Sequence, residues 1–250
     1  MLKILEVQEI TKNFGGLTAL YDVSFSLHEG ETLGFIGPNG AGKTTLFNII
    51  CGMKPDSGAV LFNNEDITNR KPDKICHLGI ARTFQLIRTF LNLTVLDNVA
   101  CGLIFGRRKN EVANLKDARD KAIDVLKEVK LDHRAEKLAK ELVFAERRRM
   151  EIARALATGP SLLLLDEVMA GLSSPEAQEM LEIMARVKAD HKLTILMIEH
   201  TMKLVTAMCD RLVVINFGQK LTEGDPHEVL NDREVIKAYL GEEDAEAPGN

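Results

Sequence analysis

The sequence holds 250 residues, 45% apolar and 28% charged, with a net charge of −5 and a pI near 5.8. That length and composition suit one soluble α/β domain, or one domain with an inserted subdomain, and the acidic balance excludes the basic footprint of a nucleic-acid binder. Four cysteines, Cys51, Cys76, Cys101 and Cys209, form no C-x-x-C pair, which argues against zinc or redox spacing and for reduced thiols.

Charged residues interrupt the first 14 positions every few residues, so they do not read as a signal peptide. No run approaches the roughly 18 apolar residues of a spanning helix, so any work at a membrane needs another chain. Residues 4–7 and 19–27 read as strands around a Phe14-Gly15-Gly16 turn, with Val23, Phe25 and Leu27 alternating with Ser24 and Ser26. After a turn at Glu29-Gly30-Glu31, residues 32–37 form a short apolar strand. A helix follows from about Lys43 to Cys51, closed by Gly52 with Pro55 beyond. Residues 60–62 read as a strand and Asn63-Asn64 as a turn.

From about Arg88 to Ala157 the periodicity is helical. Residues 112–130 set Val112, Leu115, Ile123, Leu126 and Val129 on one stripe, and residues 146–157 form a second helix. Strand signals return at 162–165, 193–198 and 212–216, with a helix over 175–189. Alternating strands and helices predict a mainly parallel sheet. The central block predicts a helical subdomain at about 88–157, and the acidic tail at 241–250 reads as disordered.

Gly37-Pro38-Asn39-Gly40-Ala41-Gly42-Lys43-Thr44 fits the P-loop spacing G-x-x-x-x-G-K-[ST]. Glycines allow successive N–H groups to face phosphate oxygens, and the helix that follows adds its positive end. Lys43 is placed to bridge the β- and γ-phosphates of ATP, and the Thr44 hydroxyl to hold Mg²⁺. Residues 162–165 are four leucines ending in Asp166 and Glu167. An all-apolar strand is buried on both faces, and ligands of such sheets gather at the strands' carboxyl ends. Asp166 is therefore the candidate for Mg²⁺, directly or through water, and Glu167 the candidate base for an attacking water. A second apolar strand ends at Glu199-His200, which makes His200 a candidate for contact with the γ-phosphate or the water.

With these segments in order, residues 1–240 resemble the ATP-binding subunit of the ABC transporter family. The resemblance implies a P-loop NTPase core with a mainly parallel sheet, an N-terminal antiparallel β-subdomain and an inserted helical subdomain. It sets Phe14 on adenine and residues Gly37 to Thr45 around the phosphates. Gln85 resembles the glutamine that senses Mg²⁺ and γ-phosphate and meets the membrane partner. Asp166 and Glu167 take the metal and base roles, Ala170-Gly171-Leu172-Ser173 resembles the D-loop, and His200 the switch histidine. The phrases Ile80-Ala-Arg-Thr-Phe-Gln85, Leu93-Thr-Val-Leu-Asp-Asn-Val99, Glu199-His-Thr-Met-Lys-Leu-Val205 and Glu234-Val-Ile-Lys-Ala-Tyr-Leu-Gly241 resemble the branched-chain amino acid permease group. That group implies import of branched-chain or other hydrophobic amino acids at the cytoplasmic face of the membrane. Its partners are integral-membrane permease subunits, a second ATP-binding subunit (homo- or heterodimer) and, indirectly, a periplasmic or extracellular solute-binding protein.

One departure stands out. Where the family's signature loop reads Leu-Ser-Gly-Gly-Gln and grips the nucleotide of the opposite subunit, this chain has Leu142-Val143-Phe144-Ala145-Glu146. Val143 lacks the hydroxyl, Phe144 and Ala145 carry side chains in place of glycine, and Glu146 brings a negative charge toward phosphate. Two outcomes follow: Arg147 or Arg148 supplies compensating charge in trans, or hydrolysis is slow. Val168 stands where the family usually has proline, a change confined to turn shape. The alternatives to transport are a non-transport ABC-type ATPase, as in DNA repair or translation, and a weakly hydrolysing regulatory module.

Overall fold

In the computed structural model, which describes residues 2–86 and 88–240, the chain opens with β1 (Lys3–Phe14), β2 (Leu17–His28), β3 (Thr32–Ile36), α1 (Lys43–Ile50), β4 (Ser57–Phe62) and β5 (Glu65–Asp66). It continues with α2 (Pro72–Leu78), β6 (Ile80–Arg82), α3 (Val95–Phe105), α4 (Leu115–Glu128), α5 (Phe144–Ala157), β7 (Leu162–Asp166) and α6 (Ser174–His191). It closes with β8 (Thr194–Ile198), α7 (Met202–Met208), β9 (Arg211–Asn216), β10 (Gln219–Gly224), α8 (Pro226–Leu230) and α9 (Arg233–Leu240). The tail at 241–250 lies outside the described residues. Among the described residues, no helix is long and apolar enough to cross a membrane.

Two compact units emerge: one joins the chain up to Pro72 with the chain from Ile195, and the other is Asp73–Thr194. The first unit carries an antiparallel sheet in the order β2-β1-β4-β5. The serine alternation of β2 turns Val23, Phe25 and Leu27 inward, opposite Ile10, Val7 and Leu5 of β1. Strand β3 is buried throughout and pairs in parallel with β8 and β9, and β10 closes the edge antiparallel to β9. The rings of Phe25 and Phe35, 5.4 Å apart, tie β2 to β3.

In the second unit β6 pairs in parallel with the fully buried β7. Thr83 extends the pairing: its amide donates to the Leu164 carbonyl at 3.0 Å, and its Oγ1 accepts from the Asp166 amide at 3.2 Å. The helical block differs in detail from its sequence pattern. Residues 88–93 are not helical; α3 starts after Thr94, whose side chain caps the Asp97 amide. The helix expected from 112 begins at Leu115, because Asn114 caps the Asp117 amide and a 3₁₀ turn (Arg107–Glu111) precedes it. The compact unit also reaches beyond 88–157, taking in β6, β7 and α6.

Candidate active site

The first unit supplies a phosphate cradle. Strand β3 runs into Gly37, the loop turns, and α1 begins at Lys43 behind Gly42. Gly42 has φ +105°, and a Cβ there would lie 2.4 Å from the Ala19 carbonyl oxygen, so glycine is the only residue this turn accepts. No side chain caps the start of α1, and a helix N-terminus of this kind suits an anion. Lys43 Nζ lies 2.6 Å from the Gly37 carbonyl and 2.8 Å from that of Pro38, folded back on the loop it serves. Asn39, Gly40 and Thr44 are exposed, Pro38 and Thr45 half-buried and Ala41 buried. His200 is exposed just beyond β8, and since β8 and β3 are parallel neighbours it leaves the sheet at the same edge as the loop. Phe14 ends β1 with its ring half exposed and Lys12 Nζ 5.5 Å from the ring centre.

The second unit holds the carboxylates. Asp166, only 1% exposed, receives a hydrogen bond from Arg82 Nη2 on its Oδ2 at 2.6 Å. Its Oδ1 is buried without a hydrogen-bond partner among the described residues. A buried, orphaned carboxylate oxygen at a strand's C-terminal end fits a hard cation such as Mg²⁺, which takes one or two carboxylates and completes its shell with water and phosphate. Glu167 follows with φ +51°, a strained backbone for a residue with a side chain. Gln85 Nε2 donates to its carboxylate at 2.9 Å, so the structure brings together two of the three expected catalytic residues. Beyond them the chain turns: the Ala170 amide donates to the Glu167 carbonyl at 3.2 Å, and Gly171 is exposed. Val168 is buried, and Leu172 half-buried. Ser173 caps α6, its amide and hydroxyl both donating to Glu176.

The loop at 142–147 corrects several sequence expectations. Glu146 does not carry its charge outward. It is buried, accepts from Arg134 Nε at 2.8 Å and the Val143 amide at 3.2 Å, and so caps the start of α5. Burial pushes its carboxyl up, but the hydrogen bonds from Arg134 and the Val143 amide outweigh that and hold it below the usual glutamate range. Arg148 is no surface finger either: it is buried, and its Nη1 and Nη2 donate to the carbonyls of Phe84 at 2.8 Å and Gln85 at 2.7 Å. Arg147 donates to the Leu142 and Lys140 carbonyls of its own loop. Leu142 and Ala145 are buried, which leaves Val143, 61% exposed, and Phe144, 45% exposed, as the loop's outer face.

Sequence reasoning missed Arg82 and Glu151. Arg82 is the one charged residue of the short strand Ile80-Ala-Arg, and that misfit in a buried position is its only sequence signal. Glu151 accepts from the Phe84 amide at 3.1 Å and from Arg148 at 3.3 Å.

This geometry has known counterparts. Residues 20–170 match the ABC transporter family, and residues 219–245 match the branched-chain amino acid ATP-binding cassette transporter family. The chain is 38% identical, over 96% of its length and 98% of the relative's, to the high-affinity branched-chain amino acid transport ATP-binding protein BraF of Pseudomonas aeruginosa. Its fold matches the ADP conformation of MJ1267, an ATP-binding cassette of an ABC transporter, with a TM-score of 0.87 and 36% identity, covering 97% of this chain and 100% of that one. It also matches the dimeric post-hydrolysis cassette MJ0796 bound to ADP and Pi, with a TM-score of 0.78 and 27% identity, covering 89% and 98% of the two chains. The chain belongs to the ABC transporter family. Its α/β fold is that of the family's nucleotide-binding cassettes.

Proposed function

We propose that this chain is the ATP-binding and hydrolysing subunit of an importer of branched-chain or other hydrophobic amino acids. It works at the cytoplasmic face of the membrane as a peripheral subunit. It is paired with a second ATP-binding subunit and docked on integral-membrane permeases that a solute-binding protein supplies. Similarity to BraF along nearly the whole chain supports transport over a non-transport ATPase.

The substrate is ATP. Phe14 stacks on adenine, and the amides of residues 37–45 receive the phosphates. Lys43 Nζ leaves the Gly37 and Pro38 carbonyls for the β- and γ-phosphate oxygens. The Thr44 hydroxyl, Asp166 Oδ1 and Gln85 would hold Mg²⁺, which would screen the charge of the phosphate oxygens when bound. Glu167 orients the attacking water and accepts its proton, Gln85 keeps the carboxylate in place, and His200 steadies the γ-phosphate.

The observation that carries the ATPase reading is the 2.9 Å hydrogen bond from Gln85 to Glu167, a carboxylate on strained backbone beside a buried metal-type aspartate. In Glu167→Gln, phosphate release by the full chain with its permeases falls by about 10²–10⁴-fold while ATP binding persists. Wild-type turnover in that variant would remove Glu167 as the base. Uptake of labelled leucine, isoleucine or valine into vesicles holding the whole complex tests the cargo.

A further inference from the structure

The ring of Phe144 lies between two structures that converge on Glu167. On one side is Gly171, where a Cβ would come 3.1 Å from Phe144 Cε1 and 3.4 Å from Cζ, so any larger residue at 171 would displace the ring. Gly171 belongs to the turn that leaves Glu167, closed by the Ala170 amide on the Glu167 carbonyl and the Leu172 amide on the Met169 carbonyl, each at 3.2 Å. On the other side the Arg148 guanidinium carbon stands 5.3 Å from the ring centre, in cation–π range. Arg148 in turn grips the Phe84 and Gln85 carbonyls, and the Gln85 side-chain Nε2 donates to the Glu167 carboxylate.

We infer that Phe144 is a positioning residue for the catalytic carboxylate of its own chain. It braces the turn after Glu167 and, through Arg148, the backbone of Gln85. The inference rests on Glu167 being the base. The rest of the loop is committed in the same direction: Glu146 caps α5 and pairs with Arg134, and Arg147 binds carbonyls of its own loop. Large, half-exposed and uncharged, Phe144 joins the loop to the turn of Glu167, a link that glycine at 144 would not make. Glu167 pays for a left-handed backbone with strain, and such a conformation persists only where its surroundings fix it.

The test uses the full chain with its permeases and the variants Phe144→Gly, Phe144→Tyr and Glu167→Gln. Phe144→Gly lowers kcat by roughly ten- to a hundredfold with KM for ATP within about twofold, since displacing a catalytic group by an ångström costs rate rather than binding. Amide exchange over residues 168–172 and at Phe84, whose amide donates to Glu151, accelerates while β7 and α6 keep their protection. Phe144→Tyr retains the ring and restores both readouts. An unchanged or raised kcat in Phe144→Gly overturns the inference, because glycine there would then serve a facing nucleotide. Exchange that rises evenly through residues 73–194 overturns it as well, by reducing Phe144 to general stability. If Glu167→Gln hydrolyses ATP at the wild-type rate, the base assignment fails by itself, while local exchange still reports whether Phe144 braces the turn.

Discussion

Arg82 Nη2 sits 2.6 Å from Asp166 Oδ2, with the two side chains 7% and 2% exposed. The guanidinium holds one carboxylate oxygen while the other is left for a cation. Removing one member of a buried pair costs about 3–5 kcal/mol, chiefly through the charge left behind. Arg82→Met should therefore lower unfolding free energy by about that amount in urea titrations. The Arg82→Met, Asp166→Asn double variant should lose less than the sum of the single losses. Additive losses would show that the two side chains do not depend on each other.

The cradle makes a sharper prediction about glycine. At Gly42 a Cβ would meet the Ala19 carbonyl oxygen at 2.4 Å and Leu20 Cδ2 at 2.7 Å, with φ at +105°. At Gly40 φ is +82° and nothing lies within 4 Å. Gly40→Ala bears only the left-handed backbone cost of about 1–2 kcal/mol. Gly42→Ala adds a clash with backbone and should be the less stable of the two in nucleotide-free melting, and it should also lose ATP binding. Equal melting temperatures would mean that the Ala19 segment yields freely.

These features were unequally legible in the sequence. The P-loop could be read because its geometry is local: glycines at fixed offsets and a lysine opening a helix need no distant partner. Strand β7 announced itself through four leucines, and β2 through its serine alternation. Strand β10, Gln219–Gly224, gave no signal because it is a polar edge strand that, among the described residues, pairs with β9 alone. Strand β6 is three residues long and contains Arg82, whose burial makes sense only beside Asp166, 84 positions later. The loop at 142–147 was misread for the same reason. Glu146 looks like an outward charge until Arg134 is placed beside it, and in a run of three arginines only the phase of α5 tells that Arg148 faces inward.

Glu146 has a pH signature. Its carboxyl titrates lower in the native state than in the unfolded chain, so the native state binds fewer protons as pH falls past about 4.3, the ordinary glutamate value. Its contribution is complete above that value and fades as pH drops through the lower native one. Replacing it by alanine removes the cap on α5 and leaves Arg134 Nε without this partner, at a cost of about 1–2 kcal/mol at pH 7. The stability gap between wild type and Glu146→Ala, measured by denaturant titration from pH 7 to pH 3, should narrow below about pH 4. A gap independent of pH would mean that the pairing with Arg134 contributes nothing.

Arg148 joins two roles that mutation can separate. It neutralises Glu151, whose carboxyl is pushed up by burial and only partly brought back by the Phe84 amide and Arg148. It also spans the Phe84 and Gln85 carbonyls, which a lysine's single ammonium cannot match with a planar fork. Arg148→Met leaves Glu151 buried without its hydrogen-bonded cation, only the more distant charge of Arg154 still acting on it, and should destabilise by about 3–5 kcal/mol while lowering kcat. Adding Glu151→Gln removes the stranded charge, so stability should recover in part. Turnover should not recover, because the carbonyls beside Gln85 remain ungripped and the carboxylate of Glu167 loses its brace. If stability and kcat return together in the double variant, Arg148 serves the fold alone and its hold on Gln85 is incidental to the chemistry.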